Sequence, residues 1–181
     1  MNPDQLNALK YPVGKFARPS EFSVELVNAS IRMLEQFPQL MFNEASALTP
    51  EELNWTYRPE GWSIRQVVHH VADSHMNAFI RFKLALTEET PTIKPYAQDR
   101  WAELPDVRTI HIDASLRLLE GLHQRWVGLL RSLSEQDLKK CYNHPEQKRI
   151  VPLFEVLAMY SWHCSHHLAH VQLAKKHKGS F

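Results

Sequence analysis

The chain has 181 residues, 44% hydrophobic and 23% charged, which suits one globular domain over residues 1–181. A net charge of +1, without any run of basic residues, argues against a nucleic-acid partner. No apolar stretch approaches the roughly 18 residues of a membrane span, and Met1–Lys10 lacks the order of a signal peptide. We therefore expect a cytoplasmic protein without a membrane partner, in which Cys141 and Cys164 form no disulfide framework.

Four long helices are predicted from apolar residues that recur with a helical period, in a chain with few glycines and almost no strand-like alternation. The predicted helices run from about Ser20 to Ala47, from Ser63 to about Glu89, from near Asp113 onward, and from Pro152 to about His177. Pro38 is expected to kink the first helix or end it early. Ser63 and Gln66 have the spacing of a capping box for the second. The expected fold class is all-α.

The connection between the second and third helices, residues 90–112, is longer than two adjacent antiparallel helices need. We therefore expect a four-helix bundle with a long crossover between these helices. Residues 1–19 precede the first helix as an N-terminal arm, which we expect to wrap over the bundle.

Most of the histidines lie in two short segments, one on the second predicted helix and one on the fourth. They are His69, His70, His75, His163, His166, His167 and His170. Imidazole is the commonest protein ligand of zinc and related ions, and histidines four apart on a helix point the same way. The pattern predicts a metal site, and the alternative is a set of histidines on a solvated helix face.

Helical periodicity indicates which histidines of the fourth helix face the core. His163 and His167 lie nearer the apolar stripe than His166 and His170 do. Cys164 also faces the core, where a lone cysteine more often packs than binds a metal. The pair His163 and His167 is therefore the favoured one, with Cys164 as a reserve ligand.

On the second helix, periodicity places His75 on the apolar face. His70 lies instead on a polar strip with Ser74, Asn77 and Arg81. Such a strip either lines a pocket or faces water, and periodicity does not decide between the two.

Several strings of this sequence resemble the YfiT branch of the DinB-like family. They are Gln66–Asn77, Ile80–Lys83, Leu86–Pro91 and Trp162–His167. The resemblance runs from the Tyr-Pro-Val-Gly string at residues 11–14 through the last helix, so it covers nearly the whole chain. Long matched strings are far more specific than a single pair of spaced histidines.

The resemblance implies a four-helix bundle that holds one divalent cation, zinc or nickel, on three histidines. By position these are His70, His163 and His167. The assignment agrees with periodicity on the fourth helix and overrules it on the second, where His75 looked more inward. Members of the family also form homodimers, which the resemblance implies here. The candidate interface residues, which are just as plausibly core, are Trp55, Trp62 and Trp101.

Relatives of this type are described as metal-dependent hydrolases or as transferases that join a low-molecular-weight thiol, such as bacillithiol, to an electrophile. Three protein ligands leave a coordination position open for water or for a thiol. Metal hydrolases commonly use a carboxylate base, and Asp73 points away from His70. We therefore favour thiol transfer to a small-molecule substrate, with hydrolysis as the alternative. A base for hydrolysis could come from the crossover through Glu88, Glu89 or Asp99.

Asn77 and Arg81 are expected to bind a carboxylate of the thiol cosubstrate, unless they form an exposed amide and a surface salt bridge. No side chain is assigned a catalytic role beyond the metal. A third alternative is a non-catalytic protein whose metal only stabilises the bundle. That alternative predicts a fourth protein ligand, such as Cys164 or His170.

Overall fold

The computed structural model describes residues 1–181, and four long helices, α2, α3, α6 and α8, form its bulk. The helices are α1 (Pro3–Lys10), α2 (Val24–Ala45), α3 (Ile64–Thr87), α4 (Gln98–Trp101), α5 (Pro105–Thr109), α6 (Asp113–Arg131), α7 (Glu135–Leu138) and α8 (Leu153–His177). A 3₁₀ turn covers Glu52–Asn54. The long helices lie within a few residues of their predicted bounds. However, α2 continues through Pro38 and does not end there.

Contacts between α3 and α6 show that these neighbouring helices run parallel. His69 near the start of α3 bonds Ser115 near the start of α6, and His75 bonds His123 further along both helices. A parallel pair requires the chain to return along the bundle before the second helix begins. The segment between α3 and α6 is therefore the expected crossover, and it carries the short helices α4 and α5.

The two histidine-bearing helices, α3 and α8, are antiparallel neighbours. Going along α3 from His70 to Ser74, the contacts move back along α8 from His167 to Tyr160. The remaining long helix, α2, packs mainly against α8 and α6, and its Phe37 also contacts His75 of α3. This arrangement places the histidine segments face to face inside the bundle.

The core between the four helices is apolar and closely filled. Its largest fully buried side chains include Phe37 of α2, Phe82 of α3 and Trp126 of α6. Burial of one such side chain stabilises the fold by about 2 to 3 kcal/mol. The core thereby holds the helices, and the histidines on them, in one arrangement.

A short β-hairpin departs from the all-α expectation, so the fold is mostly helical. Strand β1 (Cys141–His144) pairs antiparallel with β2 (Arg149–Pro152), and Tyr142 lies opposite Val151 with both residues buried. Each strand has four residues, too few for a period of two to be read from the sequence. The hairpin leads directly into α8.

The N-terminal arm contains the helix α1, which was not predicted from the sequence. Asn2 begins α1 with a capping box. Beyond α1 the arm lies against α8, where the indole Nε1 of Trp162 donates to the carbonyl of Gly14 at 3.0 Å. None of the helices combines the length and the apolar character needed to span a membrane.

Candidate metal centre

Three histidines from α3 and α8 come together between the two helices. One ring nitrogen from each of His70, His163 and His167 lies within 4.8 Å of those of the other two. His163 and His167 are one helical turn apart on α8, with ring centroids 4.3 Å apart. His70 faces them from α3 at centroid distances of 5.5 and 4.9 Å. These are the three histidines that the resemblance implies.

Burial keeps these imidazoles neutral near pH 7. Burial, and to a smaller extent the neighbouring His166, lowers the pKa of His70 to about 4. Burial, and then the other histidines of the cluster, holds the pKa of His163 and of His167 well below the usual value. A neutral imidazole keeps one lone pair for a metal, and three such nitrogens suit a divalent transition-metal ion. The donor set therefore fits a divalent metal.

The three-histidine group has no fourth protein ligand. Cys164 is fully buried, and burial raises the pKa of its thiol well above the usual value, which disfavours the thiolate that metals bind. His170 belongs to a second group, with His166 and His167, and not to the first. A coordination sphere closed by Cys164 or His170, as a purely structural metal would require, is therefore not formed by this group.

His75 is buried beside the cluster but is not one of its members. Its Nδ1 lies 2.7 Å from Nε2 of His123, and its Nε2 lies 3.0 Å from Nδ1 of His163. Both ring nitrogens of His75 are thus engaged in hydrogen bonds. Periodicity correctly placed His75 toward the core, but an inward direction alone does not separate a ligand from a side chain that supports one.

His166 and His170 are buried, whereas periodicity placed them on the more outward face of α8. The carbonyl of Lys10 in the arm accepts a hydrogen bond from Nε2 of His170 at 3.2 Å. The ring of Tyr57 stacks on His170 with centroids 3.7 Å apart, and Trp162 stacks on His166. A helical wheel shows only which face of α8 is apolar. It does not show that the arm and a loop cover the face that carries His166 and His170.

The structure does not bring Asn77 and Arg81 into contact with the three histidines. Asn77 donates to the carbonyl of Asp73 on its own helix at 2.9 Å. Arg81 donates to the carbonyl of Lys94 in the crossover at 3.0 Å and lies over the ring of Tyr96, without an acidic partner. Their role in substrate binding stays a prediction.

No carboxylate is hydrogen-bonded to a histidine of the cluster. Asp73 is partly buried on α3, and burial together with the charge of Asp106 raises its pKa to about 6. The three acidic residues of the crossover that could have supplied a base are exposed. They are Glu88, Glu89 and Asp99. The cluster is therefore built from imidazoles alone.

His123 on α6 lies beside the site but was not predicted from the sequence. It is 1% exposed and bonds His75, which in turn bonds His163. The sequence could have predicted its burial, because His123 lies between Leu119 and Trp126 on the apolar stripe of α6. A polar side chain on such a stripe must find a buried partner.

A groove lies on another face of the molecule, between α2 and α6. Its volume is about 1020 Å³, and its lining includes Phe42, Glu120 and His123. None of the three clustered histidines lines it. The chemistry of the cluster is therefore not located in this groove.

Curated relatives match this chain over nearly its full length. A Bacillus cereus (strain 03BB102) protein named "Putative metal-dependent hydrolase" is 46% identical over 171 residues, which are 94% of this chain and 98% of that protein. A Bacillus licheniformis protein of the same description is 46% identical over 174 residues, or 96% and 99% of the two chains.

A solved structure and a family comparison lead to the same assignment. YfiT from Bacillus subtilis, described as "a probable metal-dependent hydrolase with an unusual four-helix bundle topology", is 44% identical. The match has a TM-score of 0.92 and covers 95% of this chain and 98% of that one. The family model of the DinB superfamily matches residues 33–171, a range that contains all three clustered histidines. The expected family and bundle are thereby confirmed, and the chain belongs to the DinB superfamily.

Proposed function

We propose that this protein is a metal-dependent hydrolase whose divalent cation binds His70, His163 and His167. The observation that carries the proposal is the approach of their three ring nitrogens to within 4.8 Å, without a fourth protein ligand. The names of the Bacillus relatives support the same class of activity. Hydrolysis therefore takes precedence here over the thiol transfer that the sequence favoured.

The chemistry of the site divides between the ion and the protein. A divalent cation, when bound, lowers the pKa of a water ligand to about 7 and polarises a substrate carbonyl. Zinc and nickel are the proposed ions because imidazole nitrogen suits both. The protein presents three neutral nitrogens from two antiparallel helices, so the donor geometry is set by the packing of α3 against α8. The rings of Trp62, centred 4.6 Å from His70, and Tyr160, centred 5.5 Å from His163, border the cluster.

Thiol transfer to an electrophile is a second candidate, favoured by the absence of a carboxylate from the cluster. Activation of water commonly uses such a base, whereas a thiol has a far lower pKa and loses its proton more readily. Arg81 supports this candidate because its charge has no acidic partner and is available to a carboxylate of the thiol.

The test measures metal content and two reactions of the purified protein loaded with Zn²⁺ or Ni²⁺. The reactions are cleavage of p-nitrophenyl acetate and conjugation of 1-chloro-2,4-dinitrobenzene with cysteine or bacillithiol. The proposal expects ester cleavage that depends on the metal. His70→Ala and His167→Ala should lose both the metal and the activity, whereas the exposed His111→Ala should retain both.

The alternatives predict different results of the same measurements. Metal-dependent conjugation without ester cleavage would replace the hydrolase by the thiol transferase. A protein that binds one ion through the three histidines but catalyses neither reaction would support a non-catalytic metal protein.

A further inference from the structure

We propose that two imidazole relays determine which ring nitrogen the α8 histidines offer to the metal. An imidazole relay is here a series of hydrogen-bonded histidines that ends on a backbone carbonyl. The first relay joins His163 through His75 to His123, and the second joins His167 to His170. In both, the cluster histidine carries its proton on Nδ1 and keeps the lone pair of Nε2. The inference rests on the metal site of the proposed function.

The direction of the first relay follows from its end at Leu34. A carbonyl oxygen only accepts hydrogen bonds, so Nδ1 of His123, 2.6 Å from the carbonyl oxygen of Leu34, carries a proton. A neutral imidazole has one donor and one acceptor nitrogen, so Nε2 of His123 accepts. The donor to it is Nδ1 of His75, at 2.7 Å.

The same rule extends the relay to the cluster. Because Nδ1 of His75 donates, its Nε2 accepts, and the donor to it is Nδ1 of His163 at 3.0 Å. His163 is therefore the Nδ1–H tautomer. Its Nε2 is left with a free lone pair, the form in which a neutral histidine binds a metal.

The first relay requires neutral His75 and His123, and their surroundings impose this state. Both residues are at most 1% exposed. The ring of Phe37 lies 5.4 and 5.7 Å from theirs, and the ring of Trp126 lies 6.0 and 5.9 Å away. An imidazolium enclosed by such rings, without a carboxylate partner, would lose its hydration and gain no ion pair.

The second relay ends on the N-terminal arm. Nε2 of His170 lies 3.2 Å from the carbonyl oxygen of Lys10 and must donate to it. Nδ1 of His170 then accepts, so Nδ1 of His167, at 3.4 Å, carries the proton. The stacking of Tyr57 on His170 sets the plane of that ring. His167 is thus also the Nδ1–H tautomer, with a free lone pair on Nε2.

The two relays make the α8 pair a preorganised half of the site. The hydrogen bond on one ring nitrogen selects the nitrogen that binds a metal, and loss of such a partner commonly weakens binding by about 10- to 100-fold. His70 has no hydrogen bond on either ring nitrogen, so it is free to adjust and complete the set. His75, His123 and His170 are therefore positioning residues.

The first test reads the tautomers directly, from ¹⁵N–¹H correlation spectra of the protein after removal of metal by a chelator. We expect His163, His167, His75 and His123 to carry the proton on Nδ1, and His170 on Nε2. An Nε2–H tautomer at His163 or at His167 would overturn the relay concerned. This measurement uses the wild-type protein and does not depend on the folding of a variant.

The second test measures the Zn²⁺ dissociation constant of His75→Phe, which removes both hydrogen bonds and keeps a ring of similar size. We expect the constant to rise by about 10- to 100-fold. The matched control is Phe37→Leu, which disturbs the packing around His75 and His123 but leaves the hydrogen bonds in place. The control should keep the wild-type constant. An unchanged constant in His75→Phe, or an equal rise in both variants, would refute a positioning role.

The results that would contradict the proposed function differ from those that would contradict the relays. If the wild-type protein binds Zn²⁺ but catalyses no reaction, the proposed function is wrong. Both tests of the relays remain valid in that case. If the wild-type protein binds no Zn²⁺, the metal site and the positioning role are overturned together, whatever tautomers the spectra show.

Discussion

His123 donates from Nδ1 to the carbonyl oxygen of Leu34 at 2.6 Å, and so replaces a helical hydrogen bond that α2 lacks. In an α-helix this carbonyl would accept from the amide of residue 38, which is a proline without an N–H group. The free carbonyl becomes the acceptor for a side chain of α6. Pro38, expected to kink or end the helix, thus creates the point where α2 is tied to α6 and to the histidines beyond it.

Acid should destabilise the metal-free protein through His123. Burial lowers the pKa of His123 to about 4, against about 6.5 in an unfolded chain. Below pH 6.5 the unfolded chain binds a proton that the folded protein does not, so stability is complete above this pH and falls toward pH 4. This group alone should lower the free energy of unfolding by about 2 kcal/mol between pH 7 and pH 5. Urea unfolding at the two pH values measures the change.

A substitution isolates the contribution of His123 to this pH dependence. His123→Gln retains a donor and an acceptor but does not titrate, so its unfolding free energy should depend less steeply on pH. Equal slopes in the wild type and in His123→Gln would show that His123 does not cause the acid sensitivity.

Metal binding should stabilise the folded protein, because the site exists only when α3 and α8 are packed together. At a free Zn²⁺ concentration 100 times the dissociation constant, the free energy of unfolding should rise by about 2.7 kcal/mol. The measurement is the melting temperature with and without Zn²⁺. His70→Ala should abolish the shift, and His144→Ala, on the hairpin, should preserve it. A full shift in His70→Ala would place the metal elsewhere.

Arg81 provides a test of the second candidate function. If its guanidinium binds a carboxylate of the thiol, Arg81→Ala should raise the KM for cysteine by about tenfold or more. The KM for 2-mercaptoethanol, which has no carboxylate, should not change. Lys83→Ala removes an exposed charge from the same helix and serves as the control. Equal effects on both thiols would exclude this role.

The ion pair between Arg149 and Glu155 should stabilise the junction of β2 and α8. Two hydrogen bonds of 2.6 Å join them, and Glu155 is buried. Arg149→Ala leaves this carboxylate with only Arg18 at 3.6 Å, so we expect a loss of about 2 kcal/mol in the free energy of unfolding, measured in urea. Arg131→Ala breaks an exposed pair with Glu35 and should cost less than about 1 kcal/mol. Equal losses would mean that burial adds nothing to the first pair.

The four long helices and the family could be predicted from the sequence alone. Helical periodicity defined the four long helices, and the predicted capping box of Ser63 and Gln66 is present at the start of α3. These features depend on residues within a few positions of one another, so they can be read without the fold. The length of the segment between α3 and α6 predicted that it crosses over along the bundle. The strings that resemble the family predicted His70 as a metal ligand, whereas periodicity alone favoured His75.

The environment of the cluster depends on contacts that form only when the chain is folded. The contact between Leu34 and His123 joins residues 89 positions apart, and that between Lys10 and His170 spans 160 positions. No periodic pattern encodes such contacts, because periodicity reports the direction of a side chain and not what it meets. The role of His75, the burial of His170 under the arm and the tautomer of each histidine therefore follow from how the helices and the arm pack together.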